Sequence, residues 1–289
     1  MYNTSPSLSG CSNGTHLWSS SPLSDDAIAR HLQFAQSLAI EVGGLLRSGF
    51  YRKREIARKT DTELVTSADI AAEKLIRSRI KSEFPDHFIL SEELGASQDV
   101  NVPNLWVVDP LDGTNNFAHG FPFFSVSIAF LHQGHLEVGV VHDPLREEIF
   151  LATSRSAAYL NGEPIRVSEI DDLSQALLGT GFPYDRSPSS EHNLNYFTSF
   201  YFATQGLRRP GSAALDLCYT ASARLDGFWE LKLRPWDMAA GALIAKRAGA
   251  IVTDFSGNPW TLCCDRIIVA NPKIHPQMLA IIQGHGAKS

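Results

Sequence analysis

Residues 106–130 read WVVDPLDGTNNFAHGFPFFSVSIAF, and this stretch places two carboxylates directly after an apolar run. The run at 105–108 ends at Asp109, and Asp112 follows two residues after a proline. Turns favour Asp, Pro and Gly for backbone reasons alone, so an ordinary turn between two elements explains the pattern equally well. The choice between a turn and a functional site therefore depends on what else the chain brings to these acids.

The composition is that of a folded protein with an acidic balance. The chain has 289 residues, enough for one large domain or two medium ones, and 44% of them are hydrophobic. Its formal net charge of -6 offers no basic surface for nucleic acid. An anionic substrate is compatible with this charge, because bound cations reverse the local sign of an acidic cleft.

The N-terminal segment, residues 1–22, is rich in Ser, Asn, Gly and Pro and lacks the basic start and apolar stretch of a signal peptide. We predict that it is a disordered tail. No apolar run is long enough to span a bilayer, so no membrane partner is expected. The four cysteines form no CxxC pair, which argues against a disulfide framework and favours a cytoplasmic protein with Cys218, Cys263 and Cys264 in or near the core.

Two regions with different patterns follow the tail. Residues 23–163 begin with a helix that Ser24 caps, continue with a second helix from near Ser67, and then show short apolar runs separated by turn residues. Residues 164–289 alternate strand and helix patterns, and one of the helices opens at Asp237. The sequence therefore predicts helices plus an antiparallel sheet in the first region and an α/β layer in the second.

Acids stand at the ends of predicted elements in four separate places. Each has an ordinary explanation, because acids in a first helical turn complement the helix dipole and most glutamates are solvated. Together they would repel one another unless hard cations neutralised them, and Mg²⁺ commonly joins carboxylates to a substrate phosphate. A pair of such ions holds both the attacking water and the leaving oxygen of a phosphoryl transfer. The acids are Asp69, Glu92, Glu93, Asp109, Asp112 and Asp237.

Two long motifs, DPLDGTNNF and RPWDMAAGALIAKRAGAIVTD, resemble the two signatures of the inositol monophosphatase family. The shorter stretches ELVTSAD, SEE, RRPGSAALDL and GFWE match the family's other motifs in the same order. The resemblance runs through nearly all of the chain from Leu23 onward. It implies a layered α/β/α/β/α sandwich of the inositol monophosphatase and sugar phosphatase type, usually a homodimer, within a superfamily of Mg-dependent, lithium-sensitive-type phosphatases.

The resemblance also implies roles for single residues. Thr114 with Asp69 would orient and deprotonate the attacking water, while the amides of Gly113 and Thr114 would hold the phosphate. About two or three Mg²⁺ ions are implied. Their ligands would be Glu92, Asp109, the carbonyl of Leu111, Asp112 and Asp237. The substrate-binding residues would be Asp112, Gly113, Thr114, Gly211, Ser212, Ala213, Glu230 and Asp237.

Two departures from the family pattern stand out. The segment SRSAAYLNG replaces a glycine-rich stretch found in many relatives, which affects no implied ligand. Arg234, in LRPWD, is a position that varies in the family. A structural or interface role and a substrate contact are equally open for it.

The expected activity is Mg²⁺-dependent hydrolysis of inositol monophosphate to inositol and phosphate by a metal-activated water, with no covalent enzyme intermediate. The family also contains sugar bisphosphatases, histidinol-phosphatases and nucleotide phosphatases, all of which share the same metal centre. The substrate is therefore expected to be a small phosphorylated polyol or sugar. A function of another class is a partner-binding protein that retains the phosphatase fold.

Overall fold

The computed structural model describes residues 22–51, 56–58, 64–92, 100–183 and 192–286. The predicted tail, residues 1–22, lies outside the described residues apart from Pro22, and so does Glu93. No helix in the described part of the chain is long and apolar enough to cross a membrane.

Two long helices open the described chain. Helix α1 spans Asp25–Phe50, and the backbone N–H of Ala27 donates to Ser24 Oγ at 3.2 Å, which confirms the predicted cap. Asp25 and Asp26 occupy the first turn, where they complement the helix dipole. Helix α2 spans Ser67–Glu83 and ends before Pro85, as predicted.

A seven-stranded sheet follows, with the strand order β3-β4-β5-β6-β7-β8-β9. All its neighbouring pairs are antiparallel, as predicted, except β3 with β4, which are parallel. A parallel pair requires a crossover of about a dozen residues rather than a tight turn, and the chain has the length for one between Ser91 and Asn104. The bounds are β1 Ile56–Arg58, β2 Leu64–Thr66, β3 Phe88–Ser91, β4 Asn104–Asp112, β5 Ser125–His132, β6 His135–Asp143, β7 Glu148–Thr153, β8 Tyr159–Leu160 and β9 Glu163–Pro164, with helix α3 at Thr114–His119.

A five-stranded sheet, in the order β11-β10-β12-β14-β13, is built from the later residues. Strand β10 is parallel to β11 and β12, whereas β14 is antiparallel to β12 and β13. The predicted alternation of strands and helices is confirmed. The bounds are β10 Leu177–Thr180, α4 Leu194–Ala203, β11 Gly206–Arg208, α5 Ala213–Ala221, β12 Gly227–Leu231, α6 Pro235–Arg247, β13 Ile251–Thr253, β14 Arg266–Ala270 and α7 His275–Gly286.

Neighbouring residues of one strand face different layers, and this alternation defines the stacking. In β4, Trp106 packs in the core under α1 and α2, whereas Val107 packs in the core that contains α5 and α6. In β12, Phe228 belongs to the α5 and α6 core, whereas Trp229 packs with residues of α4 and α7. Helices and sheets therefore alternate in five layers, which confirms the α/β/α/β/α sandwich.

Two details differ from the sequence predictions. Helix α6 begins at Pro235, two residues before the predicted start at Asp237, because proline is well tolerated in a first turn, where its missing N–H costs no bond. Cys218 is buried, as predicted, but Cys264 is only half-buried. Cys263 is exposed and disulfide-bonded, so the expectation of three unbridged core cysteines is wrong for it.

Candidate metal and phosphate site

A bulge at the end of β4 brings Asp109 and Asp112 to the same side of the strand. Asp109 pairs with Ser127 of β5 and Asp112 pairs with Ser125, so three steps along β4 match two steps along β5. In a regular strand, residues three apart point to opposite faces, and one extra residue removes that difference. The stretch quoted from the sequence is therefore more than a turn, because its distortion aligns the two carboxylates.

Asp237 completes a group of three acids. Asp109, Asp112 and Asp237 each offer a carboxylate oxygen, and these atoms lie within 4.8 Å of one another. Helix α6 presents Asp237 from its first turn, where the carboxylate accepts the backbone N–H of Arg234 at 2.7 Å. Among the described residues, this is the group whose side chains could hold a metal ion.

Burial and mutual repulsion disfavour the ionised form of these three acids, and a bound cation would stabilise it. Burial raises the pKa of Asp109 well above its usual range, and the negative charges of Glu92, Asp112 and Asp237 raise it further. Burial likewise raises the pKa of Asp237, and the charge of Asp112 adds to it. A hard divalent cation prefers oxygen ligands, and its charge would balance the negative charge of these carboxylates. The residues present therefore fit a divalent metal ion.

The carboxylate of Asp112 belongs to the three-acid group and also accepts hydrogen bonds from the start of α5. Its Oδ2 accepts hydrogen bonds from Ser212 Oγ and from the backbone N–H of Ala214, the latter at 2.9 Å. Burial raises the pKa of Asp112 to about 6, against the opposing effect of these hydrogen bonds. One carboxylate thus joins the end of β4 to the start of α5 and still belongs to the three-acid group.

Glu92 and Leu111 border this group. Glu92 follows β3 and is half-exposed; its charge raises the pKa of both Asp109 and Asp237, but its carboxylate is not one of the three that lie within 4.8 Å. The N–H of Leu111 donates to Asp109 Oδ1 at 3.0 Å, and its carbonyl oxygen lies 3.0 Å from Thr114 Oγ1.

The structure joins the two residues that were predicted to act on the water. Thr114 Oγ1 donates to Asp69 Oδ1 at 2.9 Å. Asp69 lies in the first turn of α2 and is 3% exposed, whereas Thr114 is the first residue of α3. A hydroxyl that donates its proton to a carboxylate keeps its lone pairs for another donor, such as a water molecule.

Gly113 occupies a backbone position that other residues rarely adopt. Its φ of 98° lies in the left-handed region, and a side-chain carbon there would lie 3.0 Å from the carbonyl oxygen of Phe123. Gly113 directly precedes α3, and the backbone oxygens of Phe123 and Gly211 lie where a side chain would be. An anion is favoured at such a helix start.

A family profile, that of the inositol monophosphatase family, matches residues 28–287. The chain belongs to this family. An inositol-1-monophosphatase from Synechocystis is 44% identical over 248 residues, covering 86% of this chain and 86% of that protein. A protein from Vibrio cholerae named Nus factor SuhB is 44% identical over 234 residues, covering 81% of this chain and 88% of that protein. The solved structure of the inositol monophosphatase from Anabaena superposes with a TM-score of 0.81 at 37% identity, covering 89% of this chain and 97% of that one.

The residues that resemblance to the inositol monophosphatase family assigns to the alcohol part of the substrate lie at two element ends. Ser212 caps α5 and is followed by Ala213, while Gly211 has a φ of 93°. Glu230 lies in β12 and is 9% exposed. Burial raises the pKa of Glu230 to about 8, against the positive charge of Arg209. We call these four residues the alcohol pocket.

Two further residues near the site were given no role by the sequence interpretation. Asn116 Nδ2 donates to the carbonyls of Phe123 and Pro210, both at 2.8 Å, and so links α3 to the loop before α5. Asp216 is 1% exposed, and burial raises its pKa well above the usual range, with the charge of Glu230 raising it further. Both lie inside family motifs, DPLDGTNNF and RRPGSAALDL, but only their tertiary contacts distinguish them from the other residues of these motifs.

Arg234 has a backbone function in this family member. Its N–H donates to Asp237, and its carbonyl accepts the N–H of Asp237 at 3.1 Å. The backbone of Arg234 thereby fixes the start of α6 and the orientation of Asp237, one of the three acids. No contact among the described residues favours the substrate role that the sequence left open for it.

Proposed function

We propose that this protein is a Mg²⁺-dependent phosphomonoesterase that hydrolyses inositol monophosphate to inositol and phosphate. The observation that supports it most is the three-acid group beside the hydrogen-bonded pair of Asp69 and Thr114. Carboxylates alone would make a cation site, and the pair alone would be a helix-start contact. Their combination is what hydrolysis of a phosphate ester by water requires.

The ions would be held by Asp109, Asp112, Asp237, the carbonyl of Leu111 and Glu92. When bound, Mg²⁺ supplies positive charge that stabilises the phosphate oxygens and makes water a stronger acid. Glu92 sits at the edge of the group, so we assign it to an ion that is held less tightly. The number of ions, about two or three, is part of the proposal.

The proton of the attacking water passes through Thr114 to Asp69. Thr114 Oγ1 already donates its own proton to Asp69 Oδ1, so its oxygen accepts a proton from water as its own moves to the carboxylate. The water oxygen forms a bond to phosphorus while the bond from phosphorus to the alcohol oxygen breaks in line. The alcohol oxygen takes a proton from solvent, and no enzyme side chain becomes phosphorylated.

The remaining residues hold the substrate. The amides of Gly113 and Thr114 donate to phosphate oxygens at the start of α3. Asp112 and Asp237 would act on the phosphate only through the cations that they would hold. The alcohol pocket contacts the polyol, where the carboxyl group of Glu230 bonds its hydroxyls.

The names of two relatives, the inositol-1-monophosphatase from Synechocystis and the inositol monophosphatase from Anabaena, support the choice of inositol monophosphate over the esters of sugar bisphosphatases, histidinol-phosphatases and nucleotide phosphatases. Phosphate release from one ester of each kind, with Mg²⁺ and with a chelator, tests the choice. We expect turnover only with Mg²⁺ and the highest kcat/KM for inositol monophosphate. Activity without a divalent cation would overturn the proposed mechanism. A higher kcat/KM for another ester would overturn only the proposed substrate.

A second candidate function is that of a partner-binding protein. It is favoured by the relative from Vibrio cholerae that is named a Nus factor. Growth of cells whose only copy of the gene encodes Asp109→Asn distinguishes the two functions. A partner-binding surface would survive this change, whereas hydrolysis would not. Growth like that of the wild type would favour the partner function.

We also propose a homodimer, as the family resemblance implies, and a cytoplasmic location, because four cysteines without a CxxC pair form no disulfide framework. Light scattering coupled to size-exclusion chromatography measures the mass in solution. A species of twice the chain mass of 31.7 kDa is expected.

A further inference from the structure

The side chain of Asn193 is fully buried although it directly precedes α4. An Asn in this position usually caps the helix with its side chain. Asn193 makes no such cap hydrogen bond. Its amide bonds two strands of the five-stranded sheet instead, and helix capping does not explain that arrangement.

Every hydrogen-bonding group of this amide has a partner. Asn193 Nδ2 donates to Thr180 Oγ1 at 2.7 Å and to the carbonyl of Gly181, and its Oδ1 accepts from Trp229 Nε1 at 2.8 Å. Thr180 Oγ1 donates in turn to the carbonyl of Trp229 at 2.7 Å. A carboxylate of the same shape would lack both donors. The network therefore requires an amide.

The network borders Glu230, one residue of the alcohol pocket, on two sides. A side-chain carbon at position 181 would lie 2.1 Å from Glu230 Oε1 and 2.3 Å from Oε2, so the carboxyl group of Glu230 rests directly on the backbone of Gly181. Trp229 is the neighbour of Glu230 in β12, and it pairs in register with Thr180 of β10. Asn193 thus holds both the surface under the carboxyl group and the strand that carries it.

We propose that Asn193 is a positioning residue that fixes the carboxyl group of Glu230 over Gly181 and thereby sets the selectivity of the alcohol pocket for polyol esters. The inference rests on the proposed function, in which Glu230 bonds substrate hydroxyls. A fully satisfied buried polar network is rigid, whereas loss of one donor leaves buried acceptors unpaired. Hydrogen bonds to a hydroxyl weaken steeply with distance and angle, so a small shift of Glu230 would lower the preference for polyol esters.

The test compares kcat/KM for inositol monophosphate and for glycerol phosphate in Asn193→Asp. We expect a loss of about 10-fold or more on inositol monophosphate and much less on glycerol phosphate. In a Glu230→Ala background the same replacement should leave the ratio of the two values unchanged, because the effect acts through Glu230. The control is Asn195→Asp, an exposed position of the same helix, which should leave the ratio as in the wild type.

An equal loss on both esters, or an effect that persists without Glu230, would overturn the inference. If Asn193→Asp does not fold, Gly181→Ala decides, because it displaces the carboxyl group of Glu230 without touching the amide. If the wild type hydrolyses neither ester, the proposed function has failed, and crystal structures of the wild type and Asn193→Asp decide instead. A Glu230 carboxyl group shifted by about 1 Å or more supports the positioning role, and an unmoved one overturns it.

Discussion

Thr114 and Asp69 are 45 residues apart in sequence, yet Thr114 Oγ1 donates to Asp69 Oδ1 at 2.9 Å. The two residues lie in the first turns of different helices, α3 and α2, so the contact exists only because the fold brings both helix starts to the end of β4. Such a pair is suited to removing a proton from water, because the hydroxyl relays it and the buried carboxylate accepts it.

Thr114→Ala should lower kcat by about 100- to 10 000-fold with a much smaller effect on KM, because the hydroxyl acts on the water rather than on the ester. Steady-state kinetics of phosphate release measure both constants. Thr114→Ser is the control, since it keeps the hydroxyl and should retain most of kcat. A change in KM alone would favour a simple helix-start contact with Leu111.

Asp109→Asn should lower turnover by about 100-fold or more, since even changes around a metal ligand cost 10- to 100-fold. In metal-free buffer the same variant should unfold at a higher temperature than the wild type, because one of several crowded buried charges is neutralised. Thermal melts with and without Mg²⁺ measure this. Asp171→Asn, at an exposed position, is the control. Wild-type turnover in Asp109→Asn would mean that the acid is only a turn residue.

Glu230→Ala should lower kcat/KM for inositol monophosphate by about 10- to 100-fold, the equivalent of hydrogen bonds to a carboxyl group. Glycerol phosphate, with fewer hydroxyls to bond, should lose far less. The two esters are assayed side by side at saturating Mg²⁺. Equal losses would indicate that Glu230 serves the metal site or the fold, and no loss on either would place it outside the pocket.

Two glycine replacements should have opposite effects on stability. A side-chain carbon at Gly139 of β6 would lie 2.8 Å from the carbonyl oxygen of Ala240, so Gly139→Ala forces α6 away from the sheet. Overpacking of this kind costs about 1–3 kcal/mol, and the Mg²⁺ requirement should rise because α6 carries Asp237. Gly44 lies at an exposed position of α1, and an added side-chain carbon there would meet nothing within 4 Å. Gly44→Ala should therefore raise the free energy of unfolding by about 0.5–1 kcal/mol. Urea unfolding measures both, and two values of the same sign would contradict the packing argument.

The local chemistry of the site was readable from the sequence, whereas its geometry was not. Ser24, Asp69 and Asp109 mark element ends by residue type, and the family motifs place them in order. The bulge that turns Asp109 and Asp112 to one side depends on the partner strand β5, which no local pattern of β4 encodes. The parallel pairing of β3 with β4 likewise depends on how the two strands pack, which the pattern of neither strand encodes.

Other features were missed because their meaning is entirely tertiary. Asn193 directly precedes a helix, where Asn commonly serves as a cap, and its bonds to Thr180 and Trp229 appear only after two strands and a helix have packed. Strands β1, β2 and β11, three residues each, are too short to show an alternating pattern. The sequence prediction starts α6 at Asp237, two residues too late, because it takes an acid of the first turn as the first residue of the helix.

A cluster of stacked rings under α1 makes stability depend on pH. Trp106 Nε1 donates to His87 Nδ1 at 3.1 Å, and His87 stacks on Phe84 with ring centroids 4.7 Å apart. Burial, together with a smaller effect of the nearby His31, lowers the pKa of His87 from 6.5 to about 4. Protonation of Nδ1 would remove the acceptor that Trp106 needs, so the neutral ring is the one that fits this cluster.

Because the unfolded chain binds this proton more readily than the folded one, the free energy of unfolding should fall as the pH drops from 6.5 towards about 4. Above pH 6.5 His87 is neutral in both states and has no effect. His87→Asn keeps an acceptor for Trp106 but does not titrate. It should cost about 0.5–1.5 kcal/mol at pH 7 through lost stacking, yet show a smaller further loss at pH 5 than the wild type does. Urea unfolding of both proteins at the two pH values gives this double difference, in which the contributions of the other titrating groups cancel. An equal loss on acidification in both proteins would show that His87 does not carry the effect.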